Sequence, residues 1–124
     1  MIPKKLVAQV LERDGGMCVI AGPACLGEAT VADHRANRGA GGSTVLNDVR
    51  CLIAACGICN GLKADASRFY RDELVRRGVI VLKAATNQET VSRCANRWVE
   101  YPDGRRFYLL RVEPWRELHE DARF

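Results

Sequence analysis

Cys56-Gly57-Ile58-Cys59-Asn60-Gly61-Leu62-Lys63, read together with the earlier Cys18-x6-Cys25, is the stretch on which the fold turns. Two close cysteine pairs in a chain of 124 residues can supply the four sulfurs of a tetrahedral site. Such a site is structural, because four protein ligands leave no open position for water or substrate. The Gly22-Pro23 turn signal folds the first pair back so that both sulfurs can face one metal. Zinc is the expected ion, held by Cys18, Cys25, Cys56 and Cys59. Cys51 and Cys94 are left over, and Cys51, five residues before Cys56, replaces Cys25 if the first loop does not close. Two other readings stand beside the metal site. The cysteines can be buried free thiols, or Cys56-x2-Cys59 can be a redox pair, although no βαβ unit surrounds it.

Between the pairs lie Asp33-His34 and then Gly41-Gly42-Ser43. Hydrolysis of a phosphodiester requires an activated water, neutralisation of charge on the phosphoryl oxygens and stabilisation of the departing oxygen. One imidazole and one divalent cation cover all three. His34, one of two histidines, falls at the end of a predicted strand over Ala29–His34. Asp33 offers a hard oxygen ligand suited to Mg2+, and Asn60 a neutral oxygen beside a zinc cysteine.

The run from Cys18 to Lys63 resembles the HNH endonuclease family, in its zinc-stapled branch with an H-N-N type motif. The likeness covers roughly the first two thirds of the chain. It implies an α+β fold with a small ββα-metal (His-Me finger) core. His34 is then the general base, Asp33 and Asn60 hold a catalytic Mg2+ or Mn2+, and the products carry 5′-phosphate and 3′-hydroxyl ends. In the family an Asn pins the loop that carries the base. Counting forward from His34 gives Asn47, whereas counting back from Asn60 gives Cys51; Asn47 is the better hydrogen-bonding group, and both positions remain open. Lys63, at family spacing from Asn60, and Arg35 and Arg38 around the glycine-rich loop are candidates for phosphate contacts. Small stand-alone members are common in phages and their bacterial hosts.

Outside this run the sequence is less specific. The composition, 27% charged and 48% hydrophobic with a net charge of +4, is globular and compatible with a polyanionic partner without requiring one. No apolar run approaches the ~20 residues of a bilayer span, and no signal-peptide pattern opens the chain, so an intracellular, cytoplasmic protein without a membrane partner is expected. Pro3 to Arg13 predicts a helix with Leu6, Val7, Val10 and Leu11 on one stripe. Arg50 to Ala55 predicts the helix or turn that presents the second cysteine pair, and Ser67 caps a helix through Arg77.

After Val79-Ile80-Val81-Leu82 and a polar stretch, Arg97–Tyr101 and Arg106–Val112 predict a β-hairpin about Pro102-Asp103-Gly104. The chain therefore divides into residues 1–78, the nuclease-like core, and residues 79–124, a β-rich extension packed on it. Arg97, Arg105, Arg106 and Arg111 can extend a DNA track beside Trp98 and Tyr101. No base-reading helix is evident, which leaves cleavage weakly specific or directed by a protein partner. The expectation is a metal-dependent DNA endonuclease or nickase; the alternative is a catalytically impaired, zinc-stapled nucleic-acid or protein-binding module.

Overall fold

The stripe of Leu6, Val7, Val10 and Leu11 forms one face of α1 (Lys4–Arg13), with Pro3 at its N-cap and the Pro3 carbonyl accepting from the N–H of Leu6 and Val7. That face packs on a two-stranded antiparallel sheet of β1 (Val31–His34) and β2 (Leu52–Ala55), registered from Val31 opposite Ala55 to His34 opposite Leu52. The computed structural model of the chain describes residues 1–37 and 44–119. Within them the protein is a small α+β fold of four α-helices and two antiparallel sheets.

The expected helix or turn over Arg50–Ala55 is corrected. A 3-10 turn (Val49–Cys51) is followed by β2, every residue of which is buried. A continuous apolar run such as Leu52-Ile53-Ala54-Ala55 suits a strand covered on both faces as well as it suits a helix, and here pairing with β1 decides. The helix begins later, as α2 (Gly57–Ala64), followed by α3 (Arg68–Arg76). Ser67 precedes α3, but its side chain makes no capping bond. Gly78 ends the turn after α3 at a φ of +75°, where a Cβ would lie 2.0 Å from the Trp98 carbonyl oxygen, so no other residue fits.

Beyond Gly78 the architecture is more mixed than the sequence suggests. Val79, Ile80 and Val81 are buried, yet they belong to no strand; Val81 N–H donates to the Arg35 carbonyl. The polar stretch forms α4 (Asn87–Asn96), opened by Thr86, whose hydroxyl oxygen accepts from Glu89 N–H while its O–H donates to the Glu89 carboxylate. The hairpin forms between β3 (Val99–Glu100) and β4 (Arg106–Leu109), and β5 (Arg116–Leu118) adds a third strand.

Both parts of the chain share one core. Val10, Ile20, Ile53 and Leu74 from the first part cluster with Val79, Val99 and Leu109 from the second. A smaller cluster gathers Ala36, Leu46, Cys51, Val81 and Cys94. Below α1 lies a buried polar network. The Arg13 guanidinium grips the Asp14 carboxylate through both oxygens at 2.9 Å and donates to the carbonyls of Val49 and Leu52. Asp14 also accepts from Ala54 N–H and from the Tyr101 hydroxyl. Tyr101 is therefore a core residue, 5% exposed, and not part of a DNA track. No helix among the described residues is long and apolar enough to cross a membrane.

Candidate functional site

The sulfurs of Cys18, Cys25, Cys56 and Cys59 all lie within 4.8 Å of one another. The first two flank the Gly22-Pro23 turn, and the second two sit at the N-cap and in the first turn of α2. Backbone N–H groups point at the sulfurs. Cys59 N–H donates to Cys56 Sγ at 3.3 Å, Gly22 N–H to Cys59 Sγ at 3.3 Å and Gly27 N–H to Cys25 Sγ at 3.2 Å. Such donors favour thiolate over thiol. At Cys56 burial opposes ionisation, but the N–H groups of Leu26 and Cys59 and the neighbouring thiols bring the group down to about 6. At Gly22 a Cβ would meet the Tyr70 hydroxyl at 2.3 Å, so a larger residue there would have to displace the Tyr70 side chain. Four cysteines so arranged can hold a metal ion.

Cys51, the rival fourth ligand, is not in this group. It is buried in the smaller core cluster with Cys94, and the hydrogen bond to the Cys94 side chain, together with burial, raises its pKa strongly. The two left-over cysteines are therefore packed against each other, away from the four-sulfur group.

Beside the cluster, an open cleft of about 490 Å³ is lined by Asp33 and His34 from the end of β1, Asn60 and Lys63 from α2, Arg71 from α3, and Lys83. The antiparallel pairing of β1 with β2 carries the chain from Asp33-His34 back to Cys56, and α2 then brings Asn60 alongside. His34 Nε2 lies 2.9 Å from Asn47 Oδ1. The orientation of the Asn47 amide follows from its other contact, because Asn47 Nδ2 donates to the Met1 carbonyl at 3.1 Å. Oδ1 therefore faces the imidazole, and since an amide oxygen only accepts, Nε2 carries a proton, which in the neutral ring leaves the lone pair on Nδ1.

Lys63 Nζ donates to the His34 carbonyl at 2.6 Å and lies 2.8 Å from Asp33 Oδ2, an ion pair off the line of a hydrogen bond. No family model, curated protein or solved structure matches the chain. What the site can do therefore follows from its own chemistry.

The candidate residues divide accordingly. Asp33, His34, Asn60 and Lys63 line the cleft and Asn47 meets His34, whereas Arg35 adjoins the cleft with its guanidinium committed to the interior. Its side chain is 1% exposed, and the guanidinium donates to the carbonyls of Gly78, Arg50, Cys94 and Arg97 at 2.8–2.9 Å. Expected at a phosphate, Arg35 is instead a buried tie between segments. Arg38 and the Gly41-Gly42-Ser43 run lie outside the described residues. Of the proposed track on the C-terminal sheet, three arginines are paired within the chain, and Arg111 is exposed, 3.8 Å from the Asp48 carboxylate. Arg97 donates to the Val75 and Arg76 carbonyls and stacks on Trp98, Arg105 pairs with Asp103, and Arg106 pairs with Glu100. Sequence reading missed Arg71 and Lys83. Both are ordinary exposed cations in the sequence, and only the fold brings them into the cleft.

Proposed function

We propose that the protein is a metal-dependent DNA endonuclease or nickase of the HNH type, with a ββα-metal core formed by β1, β2 and α2 and a structural zinc in the four-sulfur cluster. The observation that carries this is the hydrogen bond from His34 Nε2 to Asn47 Oδ1, with His34 lining a cleft that Asp33 and Asn60 also line. An imidazole whose N–H is held by an amide oxygen presents its other nitrogen as a base of fixed direction. His34 Nδ1 takes the proton from an attacking water, and Asn47, at the middle motif position, keeps the ring from turning. Asp33 and Asn60 supply hard oxygens for Mg2+ or Mn2+. When bound, that cation would neutralise charge on the phosphoryl group and on the departing oxygen.

Zinc fits the sulfur cluster on its dimensions. Zinc–thiolate bonds of about 2.3 Å span a tetrahedron about 3.8 Å on edge, so sulfurs within 4.8 Å of one another close on the ion with contractions of at most about 1 Å. The test of the catalytic proposal is nicking of supercoiled plasmid in Mg2+ or Mn2+. Removing a positioned general base costs on the order of 10²- to 10⁴-fold, and His34→Ala is expected to lose that much while keeping its zinc. Equal, negligible nicking by wild type and variant rejects the enzyme.

The Lys63–Asp33 ion pair favours a second reading, a zinc-stapled binding module without catalysis, because the ammonium already neutralises the carboxylate. Titration with Mn2+, followed by its electron paramagnetic resonance, separates the two. If Asp33 is a cation ligand, Lys63→Met relieves a competition worth about 1 kcal/mol for a pair near the surface, and Mn2+ binds roughly fivefold tighter. Equal, negligible Mn2+ uptake by both proteins supports the module.

A further inference from the structure

We propose that Arg71 and Lys83 are the residues that grip the DNA backbone at the cleft, a deepening that rests on the DNA endonuclease reading above. The cationic side chains near the cleft are mostly committed to other parts of the chain. Arg35 binds four carbonyls, and Lys63 is held by Asp33 and the His34 carbonyl. Arg71 and Lys83 differ. Both are exposed and line the cleft that contains His34, and among the described residues neither side chain makes a hydrogen bond or an ion pair. A cation with no internal partner loses no interaction when it meets a phosphate, and it gains from the counterions that the phosphate releases.

The two residues come from different elements, Arg71 from α3 and Lys83 from the chain after Val81, so the cleft presents charge beyond the group expected to act on the scissile phosphate. That arrangement suits a polymer with phosphates neighbouring the one cut. Arg71 and Lys83 are thus positioning residues for the strand, and the extension after Gly78 contributes directly to substrate binding.

The test is fluorescence anisotropy of a labelled 20-base-pair duplex with zinc-loaded protein and no added Mg2+, over a range of salt concentrations. Each phosphate contact contributes about 0.9 to the slope of log affinity against log salt. Arg71→Gln with Lys83→Gln is therefore expected to lower the slope magnitude by about 2 and to weaken binding roughly thirtyfold at 0.15 M salt. The charge-keeping pair Arg71→Lys with Lys83→Arg retains the slope, and so does Arg105→Gln, which follows the Pro102–Gly104 turn and does not line the cleft. Wild type that binds with a slope the Gln pair leaves unchanged overturns the proposal alone. Wild type that does not bind the duplex overturns it together with the DNA reading. Wild type that binds with the expected loss in the Gln pair, yet nicks no plasmid, supports the grip and overturns the enzyme.

Discussion

Removal of the zinc proposed for the four-sulfur cluster is expected to unfold the whole chain, not one loop. Cys18 and Cys25 belong to the segment before β1, while Cys56 and Cys59 begin α2, so an ion held by all four would close the ring that encloses the β1–β2 sheet. Metal binding at such sites supplies on the order of 10 kcal/mol of folding free energy, as much as the whole stability of a typical domain. Without the ion, the packed sulfurs lose the charge compensation that allows four of them to share one small volume. Elemental analysis is expected to give one zinc per chain, and a strong chelator, or Cys59→Ser, to abolish the cooperative thermal transition in circular dichroism. Helical circular dichroism that persists after complete chelation rejects the zinc assignment.

Asp14→Ala is expected to cost about 3–5 kcal/mol, the usual effect of removing one partner from a buried ion pair. The carboxylate is the only counter-charge on the buried Arg13 guanidinium among the described residues, and it also accepts from Ala54 N–H and the Tyr101 hydroxyl. Its loss leaves a charge, a strand amide and a phenol without their acceptor. For a domain of this length the melting temperature falls by roughly 10–20 °C. Tyr101→Phe removes one hydrogen bond to a charged group and costs less, about 1.5–3 kcal/mol. Because both changes act on the same hydrogen bond, their combination is expected to cost less than the sum. Thermal or urea melts of the three variants measure this, and an Asp14→Ala protein as stable as wild type sinks the account of the network.

The sequence made the parts of the fold with local signals legible. The stripe of Leu6, Val7, Val10 and Leu11 marks α1, and Pro102-Asp103-Gly104 marks the hairpin, because in each case neighbouring residues determine the outcome. α4 was missed: Thr86-x2-Glu89 has the spacing of a capping box, and Glu89 N–H does donate to the Thr86 hydroxyl, but the polar residues around it mask the signal. β2 was ambiguous, because Leu52–Ala55 has no periodicity to distinguish strand from helix. The grouping of Asp33, His34, Asn47 and Asn60 follows motif spacing. The fates of the arginines do not. Arg35 and Arg38 look alike as sequence, and only long-range packing commits the first to Cys94 and Arg97, some sixty residues away. The Asp14–Tyr101 contact spans a still longer separation and left no local trace.

The placement of Arg35 also bears on how this chain can be inherited. Its guanidinium reads the backbone carbonyls of Arg50, Gly78, Cys94 and Arg97, and carbonyls are the same in every amino acid. This contact by itself therefore constrains the path of the backbone and not the side chains, although Gly78 is fixed by its own conformation and Cys94 by its burial. A homologue can change its surface extensively around this arginine, but grafting the motif-bearing segment onto a different C-terminal half would leave a buried cation facing the wrong geometry. The two halves are bound to evolve as a matched pair.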